Sequence, residues 1–222
     1  MCGPMDSRFS GLLLIASLLM MPAAAQQSAT PEQATSKPQA HRAVPSLDPG
    51  AVSDNVYRNP SFGLSYKIPF GWVDRTEQMQ QDSEPEHSAV LLAVFERPPE
   101  VTENGINPGV IVAAESASGY PGLKSAEDYF GPLAEVAGSH GVTPESDPYK
   151  FTVGGQQLAR EDSLKKVGDA DFHQSTLVEL HKGYIVSFTF IAATEDEVNS
   201  LIENLSFARN GQSGPHSSSK RP

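Results

Sequence analysis

The sequence predicts a single α+β domain in which a mostly antiparallel β-sheet is sandwiched between helices. Three observations predict it. Two pairs of β-patterned segments flank tight turns, at Gly154-Gly155 and at His181-Lys182-Gly183, as β-hairpins do. Residues 88–96 and 109–115 are almost continuously apolar, as in strands that are covered on both faces. Two further segments have amphipathic helical patterns, so helices are available to cover the sheet.

The first strand of the predicted sheet lies at residues 62–68. Phe62, Leu64, Tyr66 and Ile68 alternate there with glycine and polar residues, which is the period-two pattern of a half-buried strand. Pro69-Phe70-Gly71 follows, with proline and glycine placed as in a type I turn.

The two hairpins supply four more strands. The predicted pairs are residues 149–153 with 157–164, and residues 172–180 with 184–192. In the last of these strands one face is apolar or aromatic, which predicts a core-facing side. The residues of that face are Tyr184, Val186, Phe188 and Phe190.

Each of the two helices has its own start signal. In the first, Ser125 is the predicted N-cap, and Tyr129, Leu133 and Ala137 form the apolar stripe. In the second, Thr194 and Glu197 have the spacing of a capping box. Val198, Leu201, Ile202 and Leu205 form its buried stripe.

The N-terminus reads as a cleavable signal peptide at residues 1–25. Arg8 precedes an apolar run at residues 12–21, and Pro22 and three alanines follow it, so we expect cleavage between Ala25 and Gln26. A membrane-spanning helix needs roughly 20 apolar residues, about twice this run. The sequence therefore predicts an exported protein, periplasmic or secreted, without stable membrane insertion after cleavage.

Composition divides the remaining chain into three parts. Residues 26–54 and 210–222 are polar, proline-containing and without apolar periodicity, so they are predicted to be a disordered linker and a disordered tail around a domain at residues 55–209. The 222-residue chain has 27 acidic and 16 basic side chains and a formal net charge of −11. This charge opposes binding to nucleic acid. The only cysteine is Cys2, so the predicted mature chain has no thiol chemistry.

One stretch of sequence resembles a known family. Tyr57-Arg58-Asn59 leads into the strand at residues 62–68 and then into Gly71-Trp72, and the later hairpins and acidic-capped helix follow in the same order. This order is similar to that of PsbP-like domains, over about residues 57–208. The resemblance implies an antiparallel sheet between helices, in domains that often act as accessory or binding parts of larger assemblies. It implies no catalytic residue in this chain.

A search for catalytic and metal-binding motifs finds none. Ser65 follows Gly63 as in a hydrolase nucleophile elbow, but Lys67 stands where the closing glycine belongs. His173 and His181 are eight strand positions apart, roughly 27 Å, which is too far to share a metal. The acidic stretch at residues 82–87, and Asp169 and Asp171 with His173, match no calcium or zinc motif and are better read as solvated loops. The sequence thus predicts no enzyme, no cofactor and no metal site.

Two functions remain open at this stage. The first is a non-enzymatic accessory domain that binds an envelope protein or another envelope component, with Phe70 and Trp72 as a candidate exposed aromatic lip. The second is a binder of a small ligand or metal in a concave site between a helix and the sheet. A hydrolase with an unrecognised site is a weaker third reading. The oligomeric state cannot be read from the sequence.

Overall fold

The computed structural model describes residues 47–81, 88–98, 107–139, 141–167 and 170–208. The described strands are β1 (Ala51–Ser53), β2 (Val56–Asn59), β3 (Leu64–Lys67), β4 (Val73–Asp74), β5 (Ser88–Phe95), β6 (Gly109–Ser116), β7 (Val142–Pro144), β8 (Tyr149–Val153), β9 (Gln156–Val167), β10 (Ala170–His181), β11 (Tyr184–Ala192) and β12 (Leu205–Phe207). The α-helices are α1 (Thr76–Gln81), α2 (Phe130–Ser139) and α3 (Glu195–Ile202). Short 3-10 turns lie at Ala117–Gly119 and Glu127–Tyr129.

The described strands form two antiparallel sheets. The large sheet has the order β4-β5-β6-β11-β10-β9, and β7 and β8 both pair with the far edge of β9. The small sheet has the order β1-β2-β3-β12. Both predicted hairpins are confirmed: β8 turns into β9 through Gly154 and Gly155, and β10 turns into β11 through Lys182 and Gly183. All four turn residues have positive φ, as two-residue hairpin loops require.

One face of the large sheet, here called the inner face, is buried by the small sheet and α3. The largest hydrophobic cluster joins these three elements, and its residues include Leu64 and Tyr66 from β3, Leu177, Phe188 and Phe190 from the large sheet, and Val198, Leu201 and Ile202 from α3. The predicted apolar face of β11 is therefore the core-facing side.

The opposite face, here called the outer face, is covered by helices at two separate places. Met79 of α1 packs on Val90, Ala93, Phe95 and Ile111. Tyr129 and Phe130, where the second 3-10 turn enters α2, pack on Ala159, Val178 and Ile185. Helices thus lie on both sides of a mostly antiparallel sheet, as the sequence predicts.

The small sheet is the part of the architecture that the sequence did not predict as a separate unit. Its strands have three or four residues each. The β1–β2 turn places Asp54 and Asn55 at positive φ, a conformation that these two residue types tolerate. Because β1 pairs with β2, residues that composition assigned to the linker belong to the fold, and the domain begins before residue 51.

Chain residues before β1 are also tied to this sheet. The Asn59 side chain donates a hydrogen bond to the Asp48 carbonyl oxygen at 2.9 Å, and Ser61 Oγ donates to the Asp48 carboxylate at 3.0 Å. The predicted signal peptide, the linker up to residue 46 and the tail at residues 210–222 lie outside the described residues. Within the described ranges, no helix combines the length and apolarity needed to cross a membrane.

The helix starts show one confirmed prediction and one wrong one. Thr194 Oγ1 accepts from the Glu197 N–H, and the Glu197 carboxylate accepts from the Thr194 N–H, so the capping box of α3 is present. Ser125 does not cap the first helix. Its backbone N–H instead donates to the Asp128 carboxylate at 2.8 Å, and this bond, with a second from Lys124, holds the pKa of Asp128 below its usual range.

A buried charge network joins β9 to β8, β10 and α3 on the inner face. The Arg160 side chain is 5% exposed, and its Nη2 lies 2.9 Å from an oxygen of Asp162. The same nitrogen donates to Ser175 at 3.0 Å and to Asn199 of α3 at 2.9 Å. The guanidinium lies 4.8 Å from the centre of the Phe151 ring. Because each contact comes from a different element, the network fixes how these elements meet.

We expect Asp162→Asn to lower the free energy of unfolding by about 3 kcal/mol, because it leaves the Arg160 charge buried without its counter-ion. Asp171→Asn on the same hairpin is the matched control. Asp171 pairs with Lys166 at 3.8 Å on the surface, and its loss should cost no more than about 0.5 kcal/mol. Urea unfolding followed by circular dichroism measures both variants. Equal losses in the two variants would contradict the structural role of the network.

Candidate functional site

A cavity lies between α2 and the outer face of the large sheet; we call it the outer cavity. It has a volume of about 40 Å³, room for about three water molecules. Leu133 and Ala137 of α2 and Val142 of β7 form an apolar wall. Facing them are alternate residues of four neighbouring strands, namely Ile111, Ala113 and Glu115 of β6, Ser187 and Thr189 of β11, Gln174 and Thr176 of β10, and Glu161 and Ser163 of β9.

Strand register brings the polar residues of this wall together. Thr189 of β11 is directly opposite Thr176 of β10, and Thr176 is directly opposite Glu161 of β9. The Cβ atoms of directly opposed residues lie roughly 5 Å apart. Gln174 and Ser163 form the neighbouring row in the same way. These four strands thus place hydroxyl, amide and carboxyl groups together on the outer face, opposite an inner face that carries the main core and the Arg160–Asp162 pair.

Glu161 is the carboxyl group of this site that has no hydrogen-bonded partner within the described ranges. The residue is 7% exposed and lines the cavity. Nothing within the described ranges donates a hydrogen bond to its carboxylate. Burial raises the pKa of Glu161 to about 7, and the negative charges of Asp162 and Asp147 add to the shift. At neutral pH the side chain is thus close to its midpoint, which is unusual for a carboxyl group.

Glu115 lines the same cavity but is fully engaged. Tyr129 Oη donates to one of its oxygens at 2.7 Å, and Tyr120 Oη donates to the other at 2.5 Å. The two tyrosine rings meet edge to face, with their centres 5.3 Å apart. Burial and the Glu115 charge raise the pKa of both tyrosines above their usual range, so both remain hydroxyl donors. This triad closes one end of the cavity.

The charge of the cavity wall has one sign. Among the described residues that line it, the titratable ones are Glu115, Glu161 and Tyr129, and none is a lysine, arginine or histidine. Hydroxyl oxygens of Ser163, Ser187 and Thr189 add further hydrogen-bonding capacity. Such a wall can accept hydrogen bonds and balance positive charge, but it offers no cation to an anionic ligand.

The residues that the sequence proposed as an aromatic lip do not share one environment. Phe70 is 95% exposed, whereas Trp72 is half-buried and packs against the main core. Their turn is closed by a hydrogen bond of 3.3 Å from the Trp72 N–H to the Pro69 carbonyl. Gly71 has φ +83°, which suits a type II turn and not the type I turn that the sequence suggested.

The other sequence candidates have structural roles or lie outside the described residues. Ser65 lies in β3, and its hydroxyl meets the Ser206 hydroxyl at 2.9 Å. His181 Nδ1 lies 3.1 Å from a Glu179 oxygen, and its ring packs on Phe62. The acidic stretch at residues 82–87 and Asp169 fall outside the described ranges. Among the described residues, no group of three or more His, Cys, Asp or Glu side chains could hold a metal ion.

Sequence reasoning missed the outer cavity, although a signal for it was present. Because the apolar residues of β11 alternate along one face, Ser187 and Thr189 between them lie on the opposite face. Gln174 and Thr176 have the same spacing in β10. Two adjacent strands with polar residues on the same face mark a polar patch in the middle of a sheet. Glu161 and Asp162 are adjacent in β9, so the strand points their two carboxylates to opposite faces.

Comparison with known proteins adds a likeness in fold. No family model matches the chain, and no curated protein matches its sequence. Among solved structures it is similar to a cyanobacterial PsbP from Synechocystis sp. PCC 6803 (TM-score 0.46, 18% identity, 72% of this chain and 96% of that chain). A second similar structure is that of a Bacteroides thetaiotaomicron protein (TM-score 0.38, 9% identity, covering 71% of this chain and 50% of that chain). A third is LpqN of Mycobacterium tuberculosis, described as involved in cell envelope biogenesis (TM-score 0.33, 16% identity, covering 64% of this chain and 76% of that chain). A PsbP protein is thus among the solved structures that the chain resembles, as its sequence motif predicts.

Proposed function

We propose that this is a non-enzymatic binding domain of an exported protein, and that it binds a small polar ligand in the outer cavity. The observation that carries the proposal is the buried Glu161 carboxylate, which lines a cavity and has no hydrogen-bond donor within the described ranges. Burial makes the charged form of this carboxyl group costly, which is why its pKa is raised. A ligand that completes its hydrogen bonds would remove this cost.

The shape of the cavity also supports a ligand site. Binding pockets for small molecules combine apolar walls with a few convergent polar groups. Here Leu133, Ala137 and Val142 face the row Thr189, Thr176 and Glu161. The rigid strands of the large sheet hold that row in place, so little ordering would be needed on binding.

Two features favour binding over catalysis. None of the serine hydroxyls in the described ranges is hydrogen-bonded to a histidine, so no nucleophile has a base beside it there. Within the described ranges, none of the serine and threonine hydroxyls that line the cavity is hydrogen-bonded to a carboxylate or a histidine that could activate it.

A protein or envelope partner, the other function that the sequence left open, has less support. The large apolar residues that are exposed within the described ranges are Val52, Phe70, Tyr149 and Leu180. They lie on four different elements, and single exposed apolar residues are normal on a soluble surface. Phe70 is the most exposed of them and remains the candidate contact for such a partner.

The ligand site is tested by thermal unfolding with small compounds of three classes: amines, neutral amides or polyols, and carboxylates. We expect at least one class to raise the melting temperature by a few degrees, because a ligand at 100 times its Kd contributes about 2.7 kcal/mol. Ala137→Leu, which fills the cavity from α2, should abolish the shift. Ala134→Leu adds the same side chain to the same helix away from the cavity, and it should retain the shift. If no compound class gives a shift, or if Ala137→Leu leaves it intact, the proposal fails.

The buried carboxyl predicts a pH-dependent stability. Burial raises the pKa of Glu161 to about 7 in the folded state, above the ordinary value of a glutamate in the unfolded chain, so the folded state loses stability as the pH rises between the two pKa values. We therefore expect Glu161→Gln to raise the free energy of unfolding by about 3 kcal/mol near pH 8 and to leave it unchanged near pH 4. The control Glu135→Gln, on an exposed site of α2, should leave the free energy of unfolding unchanged at both pH values. Destabilisation by Glu161→Gln near pH 8 would contradict the cost assigned to this carboxylate.

Export is tested separately from binding. We expect the protein recovered from its own host to begin at Gln26, because Ala23 and Ala25 have the spacing of a signal-peptidase site. N-terminal sequencing and intact mass spectrometry measure this directly. Recovery of chains that begin at Met1 would overturn the cleavage prediction and leave the binding proposal untouched.

A further inference from the structure

We propose that the outer cavity selects a small alkylammonium ligand, with the ammonium group at Glu161 and the alkyl group against α2. This inference rests on the proposed function, since it names the chemical class of ligand for that same cavity. Three properties of the site support it: the sign of its charge, the arrangement of its hydrogen-bond acceptors, and its division into a polar and an apolar side.

The charge of the site excludes an anionic ligand. Glu161 and Glu115 both line the cavity, and Asp162 and Asp147 are close enough to act on Glu161 through their charges. Among the described residues, those of α2 and β7 that line the cavity are apolar, and the 3-10 turn before α2 adds Tyr129, which is a hydroxyl donor to Glu115. Lys165 lies on the same face of β9 but does not line the cavity. A carboxylate or phosphate would meet like charge at close range without a cation to balance it.

The acceptors around Glu161 match the donors of an ammonium group. A primary ammonium has three N–H donors and no acceptor. Glu161 offers a carboxylate, Thr176 directly opposite offers a hydroxyl, and Ser163 two residues along β9 offers another. The Glu161 residue is 7% exposed, and no donor from the described ranges reaches its carboxylate. Its oxygens are therefore available to the ligand.

The two sides of the cavity favour an organic ammonium over a metal ion. Calcium takes six to eight oxygen ligands, usually with several carboxylates, and magnesium requires near-octahedral coordination. Only one carboxylate is unengaged here, and half of the wall is apolar. Leu133, Ala137 and Val142 can cover two or three methylene or methyl groups, which is the size that about 40 Å³ allows.

Binding of such a ligand would release a proton. When the cavity is empty, Glu161 is near its midpoint at neutral pH, because burial raises its pKa to about 7. The protonated carboxyl loses its proton to solvent as the ammonium enters, and the ion pair replaces the neutral acid. The ligand itself stays charged throughout, since the pKa of a primary amine is about 10.

The test is isothermal titration calorimetry with ethylammonium, and with acetamide and acetate as neutral and anionic probes of similar size, all at constant ionic strength. We expect ethylammonium to bind about tenfold more tightly near pH 8 than near pH 6, because only the carboxylate form of Glu161 is competent. Titration near pH 7 in two buffers of different ionisation enthalpy should show net proton release. Acetamide and acetate should not bind.

Two variants with the same change of charge locate the effect. Glu161→Gln should weaken ethylammonium binding at least tenfold near pH 8 and remove both its pH dependence and the proton release. Glu135→Gln, on the exposed side of α2, should bind as the wild type does. A urea unfolding curve for each variant shows that both are folded.

The outcomes separate this inference from the proposal it rests on. If acetamide or acetate binds and ethylammonium does not, the ammonium assignment is overturned while a ligand site in the outer cavity stands. If Glu161→Gln and Glu135→Gln bind ethylammonium equally well, binding is elsewhere and the assignment is again overturned. If no probe here and no compound of the three-class panel binds, the proposed function falls as well.

Discussion

The alternation of side chains along β9 is the constraint on which the rest of this structure depends. Successive residues of a strand point to opposite faces. Arg160 and Asp162 therefore enter the inner face, where they join β9 to β10 and to Asn199 of α3. Glu161 and Ser163 enter the outer face and line the cavity. A shift of one residue in the β9–β10 register would exchange the two sets and bury the ion pair under α2.

This division explains how the outer face can hold polar groups in the middle of a sheet. The inner face carries the main core, in which the small sheet and α3 close over aromatic and aliphatic residues such as Tyr66, Phe188 and Phe190. Each fully buried aromatic side chain of this kind contributes roughly 1.5–3 kcal/mol. The two smaller hydrophobic clusters, under α1 and α2, then only hold these helices against the outer face. The gap between those clusters is free to be polar without loss of the fold.

The sequence predicted most of the large sheet because its signals are local. Gly154-Gly155 and Lys182-Gly183 determine the hairpins, and Thr194 with Glu197 determines the start of α3. It did not predict that the strand at residues 62–68 belongs to a separate small sheet, because the other strands of that sheet have only three or four residues and show no clear period. Ser125 is not the cap: the 3-10 turn begins one residue later than predicted, with Ala126 before it, and Asp128 accepts from the Lys124 and Ser125 N–H groups. The alternation of β10 and β11 signals a polar outer face, but the cavity itself also depends on the register of four strands at once.

The two glutamates of the outer cavity show why a buried acid can have either a structural or a binding role. They are almost equally buried, at 5% exposure for Glu115 and 7% for Glu161. Glu115 accepts a hydroxyl hydrogen bond on each oxygen, which compensates for the loss of water and holds the second 3-10 turn to β6. Glu161 has no such compensation from the described residues, so folding alone does not favour a carboxylate there. A glutamine would fill the same space without the charge, and the proposed ammonium ligand would give the carboxylate an advantage over it.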